Sequence, residues 1–129
     1  MSKEYDNQIQ KVIKSRNNSK DIIYTPLGHS DELKSRGKIV IRENSEILGG
    51  YIIQLDKNGN FNSQRIIGKP YSSGHRKDLI EFIIGLNGEI AKTLDYPLLS
   101  VEESDQNLIE IYQNKGYVFD MNGVGIKKL

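Results

Sequence analysis

The sequence predicts an α+β fold: a mixed, mostly antiparallel sheet with one central βαβ unit. Three observations carry this. Residues 38–69 hold three β-branched or apolar runs separated by turn-forming pairs, which is a meander. A helix-period stripe follows at 75–95, and a short apolar run follows that at 97–102. A strand entered through a crossover helix lies parallel to the strand before it.

The elements can be justified in order. Tyr5, Ile9, Val12 and Ile13 fall on one face of a helix at the start of the chain. The polar run Lys14–Lys20 reads as the loop after it. Asp21–Thr25 reads as a short extended piece closed by Pro26 and Gly28. Ser30 is placed to cap a helical turn over Asp31–Ser35 that ends at Gly37. Lys38–Arg42 is a strand, Asn44-Ser45 a turn, and Ile47–Leu55 a second strand. The paired Gly49 and Gly50 inside it signal a bulge or a close backbone approach. Asp56–Asn60 is a hairpin turn, because Asn58-Gly59 tolerates positive φ. Phe61–Lys69 returns as the third strand. Pro70–Gly74 breaks it. Leu79, Ile83, Leu86 and Ile90 then form a helical stripe that Ile80, Ile84 and Ala91 widen. Gly85 and Gly88 each cost that helix about 1 kcal/mol relative to Ala, and packing against a sheet is the expected reason for them. Pro97–Glu102 is a buried-type strand. Ser104 or Asp105 caps a helix through Asn114, and Gly116 ends it. Tyr117–Met121 and Val124–Leu129 form a final hairpin around Asn122-Gly123.

Composition narrows the chemistry. The chain has 129 residues, 18 Lys+Arg, 17 Asp+Glu, two His and no Cys. That length suits one domain. Without Cys there is no disulfide scaffold, thiolate zinc site, iron–sulfur cluster or Cys nucleophile. The net charge of +1 gives no footprint for nucleic acid or an anionic membrane. No apolar run approaches the roughly 18 residues that span a bilayer, and the first residues carry no secretion signal, so the expected location is cytoplasmic. His29 in Gly28–Glu32 has no companion at ligand spacing, so no metal site is expected.

Two segments carry a resemblance. Asp105–Phe119, DQNLIEIYQNKGYVF, follows the pattern of Asn, an apolar helix, an apolar-Tyr pair, a basic residue and Gly-aromatic. Val40–Leu55, VIRENSEILGGYIIQL, is similar to a hairpin whose acidic turn precedes an aliphatic-Gly strand. With the element order, these resemble the GNAT N-acetyltransferase family over about residues 38–121, as a short and divergent member.

The resemblance implies an acyl-CoA N-acyltransferase-like fold over residues 1–129, with 1–37 a divergent N-terminal region and 38–129 the core. It implies acetyl-CoA as the acetyl donor, bound where the fourth and fifth strands splay apart, and an amine on a small molecule or protein as acceptor. The family's phosphate loop falls at Tyr71–Arg76, YSSGHR, where backbone N–H groups at a helix start hold phosphate oxygens. Gly74 matches that loop's first glycine. Tyr71 replaces its usual Gln or Arg, and Arg76 its second small residue. The implied cofactor contacts are Ile66, Ile67 and Gly68 before the loop, then Ser73, Gly74, His75, Arg76 and Lys77. Tyr112 matches the family's proton donor to the departing thiolate. Glu102 and Glu103 are candidates for the base that deprotonates the amine. Against these stand the plainer readings: Tyr112 packs, Gly74 is a turn glycine, Arg76 and Lys77 are a solvated first turn, and Glu102-Glu103 are a solvated loop pair. The family has a strand before its first helix, and here the helix comes almost at once. That strand is therefore missing or displaced, and an exposed sheet edge offers a route to a homodimer. The second function in view is an inactive member of this fold that binds or regulates another protein.

Overall fold

The computed structural model describes residues 2–16, 20–28, 30, 33–68 and 73–129; at 2–3, 65–68 and 73–76 the backbone alone is described. The element order is α1 (Ser2–Ser15), β1 (Asp21–Gly28), β2 (Leu33–Glu43), β3 (Glu46–Asp56), β4 (Asn60–Gly68), α2 (Ser73–Thr93), β5 (Leu98–Glu102), α3 (Gln106–Asn114), β6 (Val118–Phe119) and β7 (Val124–Lys128). Seven strands make one mixed sheet in the order β1-β2-β3-β4-β5-β7-β6. Among the described strands only β4 and β5 pair in parallel, and α2 connects them, so the predicted βαβ unit is present.

The turns follow from local chemistry. Asn44 and Ser45 both hold positive φ, the geometry of a tight two-residue hairpin, and join β2 to β3. Gly59 sits at φ +85° between β3 and β4. Asp56 fastens that turn: its Oδ1 accepts from the Asn58 and Asn60 amides at 2.8 and 2.9 Å. Asp105 caps α3 by accepting from the Asn107 amide at 2.9 Å, and Gly116, at φ +98°, follows its end.

The three helices lie on one face of the sheet. Alternate residues of β2 to β5 point to them, among them Ile39, Ile41, Ile53, Leu55, Phe61 and Leu99, all essentially buried. Each such side chain contributes about 1.5–3 kcal/mol of burial. From α1 come Ile9, Val12 and Ile13; from α2, Leu79, Ile83, Leu86 and Ile90; from α3, Leu108. The Arg16 guanidinium lies 5.0 Å from the Phe82 ring centroid and pairs with Glu89 at 2.9 Å, which ties the end of α1 to α2.

Four expectations change. The sheet's outer edge is occupied by β1, an eight-residue strand rather than a short extended piece, antiparallel to β2. An edge strand beyond the meander therefore exists, but it follows the first helix. Leu33–Ser35, expected in a helical turn, are strand, and β2 runs unbroken through Gly37. Gly37 is no helix terminator: it pairs with Pro26 and Ile53, and a Cβ there would overlap the Tyr24 ring. Small residues at Ser35 and Gly37 make room for Tyr24, whose hydroxyl donates to Asp6 at 2.7 Å; the Ser35 hydroxyl donates to the same oxygen at 3.1 Å. Finally, Gly85 and Gly88 do not pack on the sheet. A Cβ at Gly85 would lie 3.9 Å from the Arg16 guanidinium, and one at Gly88 would meet nothing within 4 Å.

Candidate functional site

The site begins where one strand pair stops. β4 and β5 pair from Asn60–Leu98 to Ser63–Val101. β5 ends at Glu102, while β4 continues to Gly68 against β3 alone. Two local causes separate them. Residues 102–105 turn away into the cap of α3. Ile66 is an extra residue in β4, between the Tyr51–Arg65 and Gly50–Ile67 pairs, and such a bulge bends and twists its strand. The glycine pair is thus flanked by irregularities on both sides, as expected: Leu48 is an extra residue in its own strand against β2, and Ile66 is one in β4. The third strand of the meander and the parallel strand diverge, and α2 starts five residues after β4 ends.

Between the diverging strands and the helices lies a void of about 20 Å³. Its lining includes Tyr51, Ser63, Ile80, Ile83, Val101 and Tyr112, with Glu102 and Glu103. Tyr112 is 7% exposed and stands on α3 with its ring edge-on to Tyr117, centroids 5.1 Å apart. Phe119 backs it at 6.0 Å. Tyr51 is 2% exposed, and its hydroxyl donates to Asn87 Oδ1 at 2.8 Å. Burial holds the Tyr51 hydroxyl well above its ordinary 10.0, the nearby Tyr112 adds to this, and Arg16 opposes it weakly. It is a neutral donor at any physiological pH. Burial alone pushes Tyr117 up to about 12.

Glu102 and Glu103 also line an open groove of about 530 Å³ with Gln64, Ser104 and Asn122. Glu102 is exposed, and its Oε1 accepts from Gln64 Nε2 at 3.4 Å. Glu103 is half-buried. Its Oε2 accepts from the Ser104 and Asp105 amides at 3.1 and 3.2 Å, and its own amide donates to the Gly123 carbonyl at 2.9 Å. The two carboxylates therefore stand between void and groove.

The residues expected from sequence are brought together unequally. Tyr112, Glu102 and Glu103 share the void. Ile66, Ile67 and Gly68 are the end of β4. Tyr71 and Ser72 lie outside the described residues, as does His29. Ser73, Gly74, His75 and Arg76 form the first turn of α2, so the helix starts two residues earlier than the sequence suggests. Their backbone N–H groups belong to the unpaired first turn of a 21-residue helix with no acidic residue there, a setting suited to an anion. Lys77 is exposed on the next turn. Among the described residues no three potential ligands gather to hold a metal, and no helix is long and apolar enough to cross a membrane.

Tyr51, Ser63 and Asn87 were not expected at the site. Asn87 carried a signal: it falls on the apolar stripe of α2, seven residues after Ile80 and four after Ile83, and a buried amide needs a partner. Tyr51 gave none beyond being an aromatic among aliphatics.

No family model and no curated protein matches the sequence. Solved structures do. A protein from Klebsiella pneumoniae assigned to the acyl-CoA N-acyltransferases superposes with TM-score 0.62 at 20% identity, over 73% of this chain and 72% of that one. A Bacillus subtilis acetyltransferase in complex with CoA gives 0.57 at 13%, over 84% and 99%. A GNAT family acetyltransferase from Elizabethkingia anophelis with acetyl-CoA bound gives 0.55 at 14%, over 88% and 100%. The similarity is one of fold.

Proposed function

We propose that this chain, which has the fold of the GNAT acetyltransferases, is an acetyl-CoA-dependent N-acetyltransferase. The observation that carries the reading is the early end of β4–β5 pairing, with Tyr112 and the two carboxylates around the void it leaves. The residues present suit the donor's acyl end: a small void walled by Tyr51, Tyr112, Ile80, Ile83 and Val101, with Ser63 and the two carboxylates on its remaining side. The first turn of α2 supplies backbone donors for its phosphates.

Acetyl-CoA supplies the activated acyl group when bound, and the acceptor amine forms the new C–N bond as the C–S bond breaks. The Tyr112 hydroxyl gives its proton to the leaving sulfur. A phenol hydroxyl is a chemically suitable proton donor to a departing thiolate. Glu102, at the mouth of the groove, takes the proton that the amine must lose. The acidic side chains on that wall favour a cationic acceptor.

Calorimetric titration with acetyl-CoA tests this reading. Binding is expected, and turnover on a panel of amines should fall by about 10²-fold or more in Tyr112→Phe. Absence of binding at millimolar acetyl-CoA would leave the fold without the reaction and favour a protein-binding role.

A further inference from the structure

We propose that the uncovered face of the sheet docks an acidic, extended polypeptide segment on a row of cations along β2. The inference goes beyond the reaction proposed above and does not rest on it. Burial alternates along β2. Ser35, Gly37, Ile39 and Ile41 are buried toward the helices, while Arg36, Lys38, Val40 and Arg42 face the other way and are partly exposed. The three helices lie on the first of these faces, so among the described residues no helix covers the second.

The neighbouring strands leave this positive charge uncompensated. In β1 to β4, Asp and Glu occur only as terminal residues: Asp21, Glu43, Glu46 and Asp56. Glu43 pairs with Lys20 at 3.6 Å, and Asp56 holds the Asn58 and Asn60 amides. Asp21 stands opposite Arg42 at the start of β1. Among the described residues none of Arg36, Lys38 and Arg42 makes an ion pair. Arg42 Nε is also buried with no hydrogen-bond partner, which leaves its guanidinium under-satisfied. Spacing and surroundings then select the occupant. Arg36 and Lys38 are two residues apart on one strand, about 7 Å, which is the repeat at which an extended polypeptide presents side chains on one face. Carboxylates at alternate positions of such a segment match them. Val40 with Ile23 beside it, and Ile52 beside Lys38, add apolar contact. A nucleic-acid strand fits less well. The aromatic residues of β1 to β4 are Tyr24, Tyr51 and Phe61, all buried on the helix side, so the face offers no ring on which a base could stack.

The experiment is fluorescence anisotropy of the full chain with labelled probes: a peptide alternating Glu with Ser, the same peptide with Gln for Glu, and an oligouridine of equal charge. The Glu peptide should bind about 10-fold or more tightly than the Gln peptide and weaken as salt is raised. Arg36→Gln with Lys38→Gln should weaken it about 10-fold, the factor that two exposed ion pairs supply. Arg42→Gln alone should weaken it severalfold, and guards against a folding defect in the double variant. Lys92→Gln, an exposed change on α2, should leave it unaltered. Equal binding of the Glu and Gln peptides, or no binding of either, overturns the proposal. Tighter binding of oligouridine than of the Glu peptide overturns the choice of a polypeptide and gives the row to a nucleic-acid strand. Affinity for the Glu peptide unchanged in both folded variants overturns the location. Acetyl-CoA titration of the same samples is scored separately, so failure of the acetyltransferase reading leaves this proposal to its own test.

Discussion

Two regions of the sheet, its β1 edge and its β4–β5 junction, use the same kind of side chain in opposite ways. At the β1–β2 end, Tyr24 lies over Gly37 and its hydroxyl meets Asp6 beside Ser35, so ring, glycine and polar group close the space completely. At the β4–β5 junction, Tyr51 and Tyr112 stand around a space that no side chain fills. Strand pairing follows the same division. β1, β2 and β3 pair along nearly their whole lengths, whereas β4 and β5 share four residue pairs. The contrast shows where this fold spends interactions on closure and where it leaves a site.

The largest expected effect touches both regions together. Tyr24, Tyr51, Tyr96 and Tyr117 all have hydroxyls held above their ordinary 10.0, mainly by burial. A raised folded-state value means stability that is whole below pH 10 and lost as pH rises through the folded values. Alkaline titration should therefore unfold the chain cooperatively above about pH 10, with tyrosinate absorbance and circular dichroism changing together. Tyrosinate signals spread over separate steps with the fold intact would contradict this.

Next comes Asp6→Ala, which breaks only the closed end. It removes the acceptor of two hydroxyls and should cost about 2–3 kcal/mol in urea unfolding, with acyl-CoA binding unchanged. Gly37→Ala pushes a methyl into the Tyr24 ring and should cost about 1–3 kcal/mol at the same end. A neutral result would mean that the ring moves freely there. The smallest effect has the opposite sign. Gly88→Ala faces open space on α2 and should stabilise the chain by about 1 kcal/mol without altering Tyr51 or Asn87.

The meander, the crossover helix and the capped α3 were legible because their signals are local: β-branched runs, Asn-Gly turns, a helical stripe, an Asp cap. β1 and the first half of β2 were not. Leu33–Lys38 alternates between exposed or half-exposed charged positions and inward positions that are small, because Tyr24 and Asp6 occupy the space those side chains would fill. The strand is made by its neighbours rather than by its own propensity. Tyr112 was picked out by its motif position and Glu102-Glu103 by their place at the end of the fifth strand, and all three line the void. Tyr51, Ser63 and Asn87 were not, because the void assembles from β3, β4, α2, β5 and α3 and has no signature in any one segment.

The place of β1 directly before β2 in the chain has a consequence for how the chain acquires its shape. β1 through β4 form one uninterrupted antiparallel ribbon, each strand beside its sequence neighbour. Such pairings close short loops and form quickly. The β4–β5 pair must wait for the 21-residue helix between them to be laid down. The ribbon is therefore the early-folding unit, and the strand that borders the void joins late. Amide hydrogen exchange should find β2 and β3 the slowest to open and β5 faster. Uniform protection across all five strands would count against that order.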